Sequence, residues 1–312
     1  LDGADVVIEN FRPGTMEAMG LGYEALSARR PELVYCQVSG FGSTGPMGDQ
    51  GGFDLIAQGY SGLMSVTGEG PGREPVKVGA PVTDITAGIL AALGVVAALV
   101  ARQRTGRGRR VETSLFEAGI AQTFWQSAIA LAGGGSPGPL GSAHPLAAPY
   151  QAFRSADGWV NVGASNERTW AALVTALGMP ELGRDARFRT NADRMANLDA
   201  LVGELAPRFA SRPTAEWVEI LGEAGVPAGP VLSIQEMLSH PQTLARGMVT
   251  EVEHATAGTV RSLGAPVKVG TPKPSRMGAP LLGQHTREVL GEAGLSPDEV
   301  EDLVRSGVAL AG

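Results

Sequence analysis

The chain has 312 residues, 43% hydrophobic and 18% charged, which is enough for one large or two modest cores and too apolar for a disordered chain. Its net charge of −7 excludes a broad basic surface for nucleic acid, though a few local arginines and backbone amides can still hold an anion. The single cysteine, Cys36, excludes an internal disulfide, and His144, His240, His254 and His285 lack metal-ligand spacing, so no metal site is expected.

The chain opens on Leu1 with no basic-then-apolar leader, which reads as the middle of a protein, and a cytoplasmic location is expected. An apolar run over 5–10 predicts a strand, followed by the turn Pro13-Gly14 and helical segments up to Arg30. Pro31 stops them, and a second strand is predicted over 33–39, with Cys36 as a small buried residue rather than a reactive thiol. Gly40 to Pro46 is loop, a helix is predicted near 53–63, and 68–75 is loop again. Thr83 is a candidate N-cap for a long apolar helix over 84–104. Its uncharged part, 85–101, sits near the ~17-residue lower limit for a membrane span, and a buried helix in a soluble core is expected instead. A strand restarts at Arg110-Val111-Glu112-Thr113-Ser114. Strands alternating with helices predict an α/β fold with a parallel sheet covered on both faces.

Gly133-Gly134-Gly135-Ser136-Pro137-Gly138-Pro139 holds neither helix nor central strand and marks a domain boundary. Beyond it, 150–155 and 159–163 read as a hairpin closed by Asp157-Gly158. Helices are predicted at 166–177, 197–210 and 214–224, then a second hairpin around 250–263 with Gly258 in its turn. Two short helices at 286–294 and 296–306 end the chain, the second opened by a Ser296/Glu299 capping box. The expected domains are 1–140 (large, α/β), 150–265 (small, α+β) and a C-terminal segment over 266–312.

Asp84 is the residue that physical chemistry singles out. At the start of a long helix, free amides and partial positive charge favour an ionised carboxylate, and Gly79 just upstream lets a ligand approach the backbone. Such a carboxylate acts as a nucleophile, or simply caps its helix. Asp54 either pairs with Asp84 as an acid or caps the helix after Gly51-Gly52. Gly68-Glu69-Gly70-Pro71-Gly72-Arg73 is a loop rather than a dinucleotide fingerprint, since no strand leads through it into a helix. The basic stretch Thr105-Gly106-Arg107-Gly108-Arg109-Arg110 either meets a phosphate or ends the helix with solvated arginines.

Glu9-Asn10-Phe11-Arg12-Pro13-Gly14 with Gly20-Leu21-Gly22-Tyr23 resembles the opening motif of the class III CoA-transferase (CaiB/BaiF, formyl-CoA transferase-like) family. The likeness continues through Gly40-Phe41-Gly42, Phe53-Asp54-Leu55-Ile56-Ala57-Gln58, Asp84-Ile85-Thr86-Ala87-Gly88 and Thr105-Gly106-Arg107-Gly108. His240-Pro241-Gln242 and Pro280-Leu281-Leu282-Gly283-Gln284-His285-Thr286 extend it, in family order, over essentially the whole chain. Roughly the first 90 residues of the family pattern have no counterpart, which implies a truncated chain and leaves an inactive CoA-binding remnant as one reading.

The resemblance implies a Rossmann-like large domain, a small α+β domain, a C-terminal segment returning to the large domain, and an interlocked homodimer. It implies Asp84 as the nucleophile that passes through mixed anhydrides and an aspartyl-CoA thioester. Coenzyme A or acyl-CoA enters as substrate beside a carboxylic acid acceptor, with no permanently bound cofactor and neither nucleic acid nor membrane as partner. Asn10, Phe11, Arg12, Gln50, Gly51, Gly52, Phe53 and Arg107 would contact CoA, and Asp54, Gly79 and Ala80 would line the active site. Two positions depart from the pattern: Ala18 stands where a basic residue is frequent, and a lysine near Gly51 is missing. The related 2-methylacyl-CoA racemases need a histidine just before Asp54, where this chain has Phe53, and tend to have a glutamate where it has Asn166 beside Glu167. Transferase is therefore the expected activity. Family acids range from formate and oxalate to carnitine derivatives, succinate and aromatic acids.

Overall fold

The computed structural model describes residues 3–270 and 277–312, so residues 271–276 of the predicted C-terminal segment lie outside the described residues. The chain divides into two compact units, Leu1–Pro230 and Val231–Gly312.

The first unit opens on β1 (Val6–Glu9), α1 (Thr15–Ala18), α2 (Tyr23–Arg29) and β2 (Val34–Ser39). Next come α3 (Asp54–Tyr60), α4 (Val82–Thr105) and β3 (Arg110–Ser114). The strands form a parallel sheet in the order β1-β2-β3, with Cys36 between Ile8 and Val111. Side chains of a strand alternate between faces. Leu33 and Tyr35 therefore join Val7, Met16 and Leu26 on one side, while Val34 and Cys36 meet Ala91, Val95 and Ala98 of α4 on the other. This two-sided burial is why β2 reads as an unbroken apolar run.

The apolar stretch expected to be a buried helix is buried on one face only. Ala87, Ala91, Val95 and Ala98 lie against the sheet, and Ile85, Ile89, Leu93, Val96 and Val100 are each more than half exposed. By length and composition alone α4 could cross a membrane. Its small-residue face, however, is used to approach the sheet closely. Thr83 also departs from expectation: the helix begins at Val82 with Pro81 as cap residue, so Thr83 lies inside the first turn and is fully buried.

Helices α5 (Leu115–Gln122) and α6 (Phe124–Leu131) follow β3 directly and were not predicted. After the glycine-rich stretch, β4 (Tyr150–Arg154) and β5 (Trp159–Gly163) pair antiparallel, and β6 (Ala228–Pro230) adds to β5. Helices α7 (Glu167–Ala176), α8 (Asn191–Ala196), α9 (Leu198–Phe209) and α10 (Thr214–Glu223) cover this sheet. Their core includes Phe153, Trp170, Phe188, Leu201, Phe209 and Trp217.

In the second unit, α11 (Ile234–Ser239) and α12 (Pro241–Ala245) precede the hairpin β7 (Val249–His254) and β8 (Gly258–Leu263). Helices α13 (Thr286–Glu292) and α14 (Pro297–Arg305) close the chain. The Ser296/Glu299 capping box is present, and Arg287 pairs with Glu301 at 2.8 Å.

Candidate active site

Parallel sheets bind ligands beyond the carboxyl ends of their strands. Beyond β1 and β2 lies a cavity of about 820 Å³ walled by Ile8 to Pro13, Val38 to Gly40, Gln50 to Phe53, Asp84, Gly88 and Leu115. Five separate segments of the chain meet here. Gly40 and Gly52 make that meeting possible, because a Cβ on Gly40 would lie 2.5 Å from the Gly52 nitrogen. Among the sequence-predicted residues, Asn10, Phe11, Arg12, Gln50, Gly51, Gly52, Phe53 and Asp84 share this wall.

Three groups of predicted residues do not. Gly79 and Ala80 are exposed just ahead of α4 and do not line the cavity. Arg107 is exposed and precedes the amino end of β3, whereas the cavity lies beyond the carboxyl ends of this parallel sheet. Gly106, at φ 68°, ends α4 there, so the basic stretch serves as a helix stop. Asp54 stands behind the wall, at the start of α3.

Asp54 has a specific task. Its Oδ1 accepts the Thr83 backbone N–H at 3.0 Å and the Thr83 hydroxyl at 2.8 Å, and its Oδ2 accepts Gln58 Nε2 at 2.8 Å. It thus caps α4, the helix bearing Asp84, rather than its own. Burial alone would push the Asp54 carboxyl up, but the hydrogen bonds from Thr83 and Gln58 outweigh it and hold the group below the usual range. A carboxylate so held is a poor acid partner.

Asp84, in the same first turn, is exposed on the cavity side, and among the described residues no group donates to its carboxylate. The amide expected to stabilise it is taken by Asp54. Partial burial, and then the Asp54 charge, raise the Asp84 carboxyl above its ordinary value. A more basic, unpinned carboxylate facing a cavity is suited to nucleophilic attack.

These opposite shifts have opposite consequences for stability. Asp54 binds its proton less tightly when folded, so its contribution is present above the ordinary carboxylate range and lost as pH falls through the depressed value. Asp84 binds its proton more tightly when folded, so its contribution is present at low pH and lost as pH rises through the raised value. In urea titrations at neutral pH, Asp54→Asn is expected to be less stable than the parent by about 1–2 kcal/mol. Asp84→Asn is expected to be more stable. Both differences should shrink as pH approaches about 3, and a pH-independent difference would contradict the assignment.

Two residues of the site were present in the sequence without a visible role. Glu9, buried at the end of β1, accepts the Phe11 N–H at 2.9 Å and so shapes the Asn10–Arg12 turn. Burial pushes its carboxyl up. Gln58 is treated below. At the positions a racemase would need, Phe53 is 78% exposed in the cavity wall, Asn166 caps α7 through Thr169, and Glu167 pairs with Arg194 at 3.1 Å. None of these places a proton-transferring group beside Asp84.

Comparison with known proteins identifies the family. The family model described as CoA-transferase family III matches residues 1–286. The chain is 39% identical to the succinyl-CoA:glutarate CoA-transferase of Mus musculus, covering 97% of this chain and 70% of that protein. It is 40% identical to the acetyl-CoA:oxalate CoA-transferase of Acetobacter aceti, covering 90% and 72%. A crystal structure of a CAIB/BAIF family protein from Brucella suis superposes with a TM-score of 0.78 and 37% identity, over 93% of this chain and 75% of that one. With the parallel sheet and the cavity at its carboxyl end, these likenesses establish that the chain belongs to CoA-transferase family III.

Proposed function

We propose that this enzyme moves coenzyme A from an acyl-CoA to a free carboxylic acid, with Asp84 as the acylated group. The observation that carries the reading is the Asp84 carboxylate, without a hydrogen-bond donor among the described residues, in the wall of a cavity that also holds Asn10 to Arg12. An Asp84 oxygen attacks the thioester carbonyl, the C–S bond breaks, and CoA thiolate leaves a mixed anhydride. The thiolate attacks the Asp84 carbonyl carbon, releasing the donor acid and forming an aspartyl thioester. An acceptor carboxylate attacks that thioester and expels the thiolate, which then takes the acceptor acyl group and frees Asp84. Tethering the anhydride keeps it oriented and away from bulk water. Asn10, Phe11, Arg12 and Gln50 to Phe53, which share the cavity wall with Asp84, hold the CoA.

The acids are short dicarboxylates, a reading supported by the glutarate and oxalate named for the two relatives. Incubation with succinyl-CoA and hydroxylamine, followed by peptide mass spectrometry, should find a hydroxamate at Asp84. A hydroxamate elsewhere, or none with any acyl-CoA that supports turnover, would remove the mechanism.

The working form is a homodimer, supported by the exposed apolar row Ile85, Ile89, Leu93, Val96 and Val100. Sedimentation equilibrium should return twice the chain mass, and Leu93→Glu should lower it; a parent that stays monomeric at every concentration rules the dimer out.

A further inference from the structure

Gln58 is fully buried in α3, one turn beyond Asp54, and both ends of its amide are engaged. Its Nε2 donates to Asp54 Oδ2 at 2.8 Å, and its Oε1 accepts the Val78 backbone N–H at 2.9 Å. Asp54 in turn holds the N–H and hydroxyl of Thr83. These hydrogen bonds link Val78 to Thr83 through Gln58 and Asp54, bridging the two ends of positions 79–82, the segment that leads into Asp84. A Cβ on Gly119 of α5 would lie 3.3 Å from Thr83 Cγ2, and Gln122 of the same helix donates to Thr86 at 2.9 Å. The turn bearing Asp84 is therefore held by α3 on one side and α5 on the other.

We propose that Gln58 is a positioning residue for the transfer step, its amide acting as a strut that sets where the Asp84 carboxylate stands. The proposal rests on Asp84 being the nucleophile. The chemistry of the site calls for an amide: one end faces a carboxylate and must donate, the other faces an N–H and must accept. Leucine does neither, and an ionised glutamate has no proton to give Asp54. Gly79 and Ala80 have no side chains long enough to stiffen the segment themselves, so without the strut Asp84 loses a fixed line of attack. Reaction rates depend steeply on such alignment. Gln58 does not line the cavity, so CoA binding does not pass through it.

Gln58→Leu and Gln58→Glu test this, with kcat, KM, CoA affinity and melting temperature measured across pH and expressed relative to the parent. Gln58→Leu is expected to lower kcat about 10- to 100-fold at every pH, with KM and CoA affinity near parental. In Gln58→Glu the carboxyl, when protonated, donates to Asp54 and accepts from Val78. Its relative kcat should approach the parent at low pH and fall towards the leucine variant as pH rises. A merely structural role would not produce that pH-dependent rescue. If Gln58→Leu does not fold, the Gln58→Glu profile decides alone. Parental kcat in both variants, or a loss confined to KM and CoA affinity, overturns the proposal. Asp84→Asn run in parallel separates the two ideas: transfer by that variant removes the nucleophile itself, whereas an inactive Asp84→Asn beside parental Gln58 variants removes only the strut.

Discussion

Asp84→Ala is expected to lose CoA transfer by at least about 10⁴-fold in kcat, the scale of removing a group that carries a covalent intermediate. The loss should come without unfolding. The carboxylate receives no hydrogen bond from the described residues and is raised by burial and by Asp54, so its removal relieves repulsion. CoA affinity, measured by calorimetry, should stay near parental, because the Asn10–Arg12 turn is shaped by Glu9 and the 50–53 wall by the Gly40–Gly52 contact. Chromatographic assay of acyl-CoA exchange is the measurement. An alanine variant that transfers CoA at more than about a hundredth of the parental rate would leave no room for an aspartyl intermediate.

The largest effect on stability is expected at Arg194, in the helical half of the first unit. Its side chain is fully buried, yet it is a cation. The guanidinium donates to the backbone oxygens of Ala148 at 2.6 Å, Phe188 at 3.1 Å and Ser165 at 3.4 Å, and lies 5.2 Å from the Trp170 ring centre. Arg194→Met fills much of the volume but leaves those oxygens without a donor in a dry core, at a cost of about 3–5 kcal/mol. Glu167, its ionic partner, is 60% exposed, so Glu167→Gln should cost less than about 1 kcal/mol. Urea unfolding of the two variants reads the contrast directly. Equal losses would mean that the ion pair, rather than the backbone contacts, holds this region.

Sequence patterns carried furthest where a signal is local. The Asp157-Gly158 hairpin, the Ser296/Glu299 capping box and the strand over Val34–Ser39 each depend on residues within a few positions of one another. Helix α5 lacks such a signal because it begins directly after β3, with Ser114 closing the strand and capping the helix, so no loop separates them. For the site, Asp84 and the Asn10–Arg12 turn were visible as residue types in a pattern. Gln58 and Glu9 were only letters inside a motif, because a polar residue's worth lies in what its two ends meet.

The strands of the parallel sheet, the long helix bearing Asp84 and the candidate nucleophile itself are written in the chain, because apolar periodicity, turn residues and glycine act over short range. Tertiary structure alone decided the rest. It gave the capping of α4 to Asp54, thirty positions from Asp84, rather than to Thr83. It left one side of α4 bare, and it gathered five separate segments into one cavity while leaving Arg107 at the far end of the sheet. The physical reason is the same in each case: a hydrogen bond or a packed face is satisfied by whichever group folding brings within about 3 Å, and sequence spacing does not encode that distance.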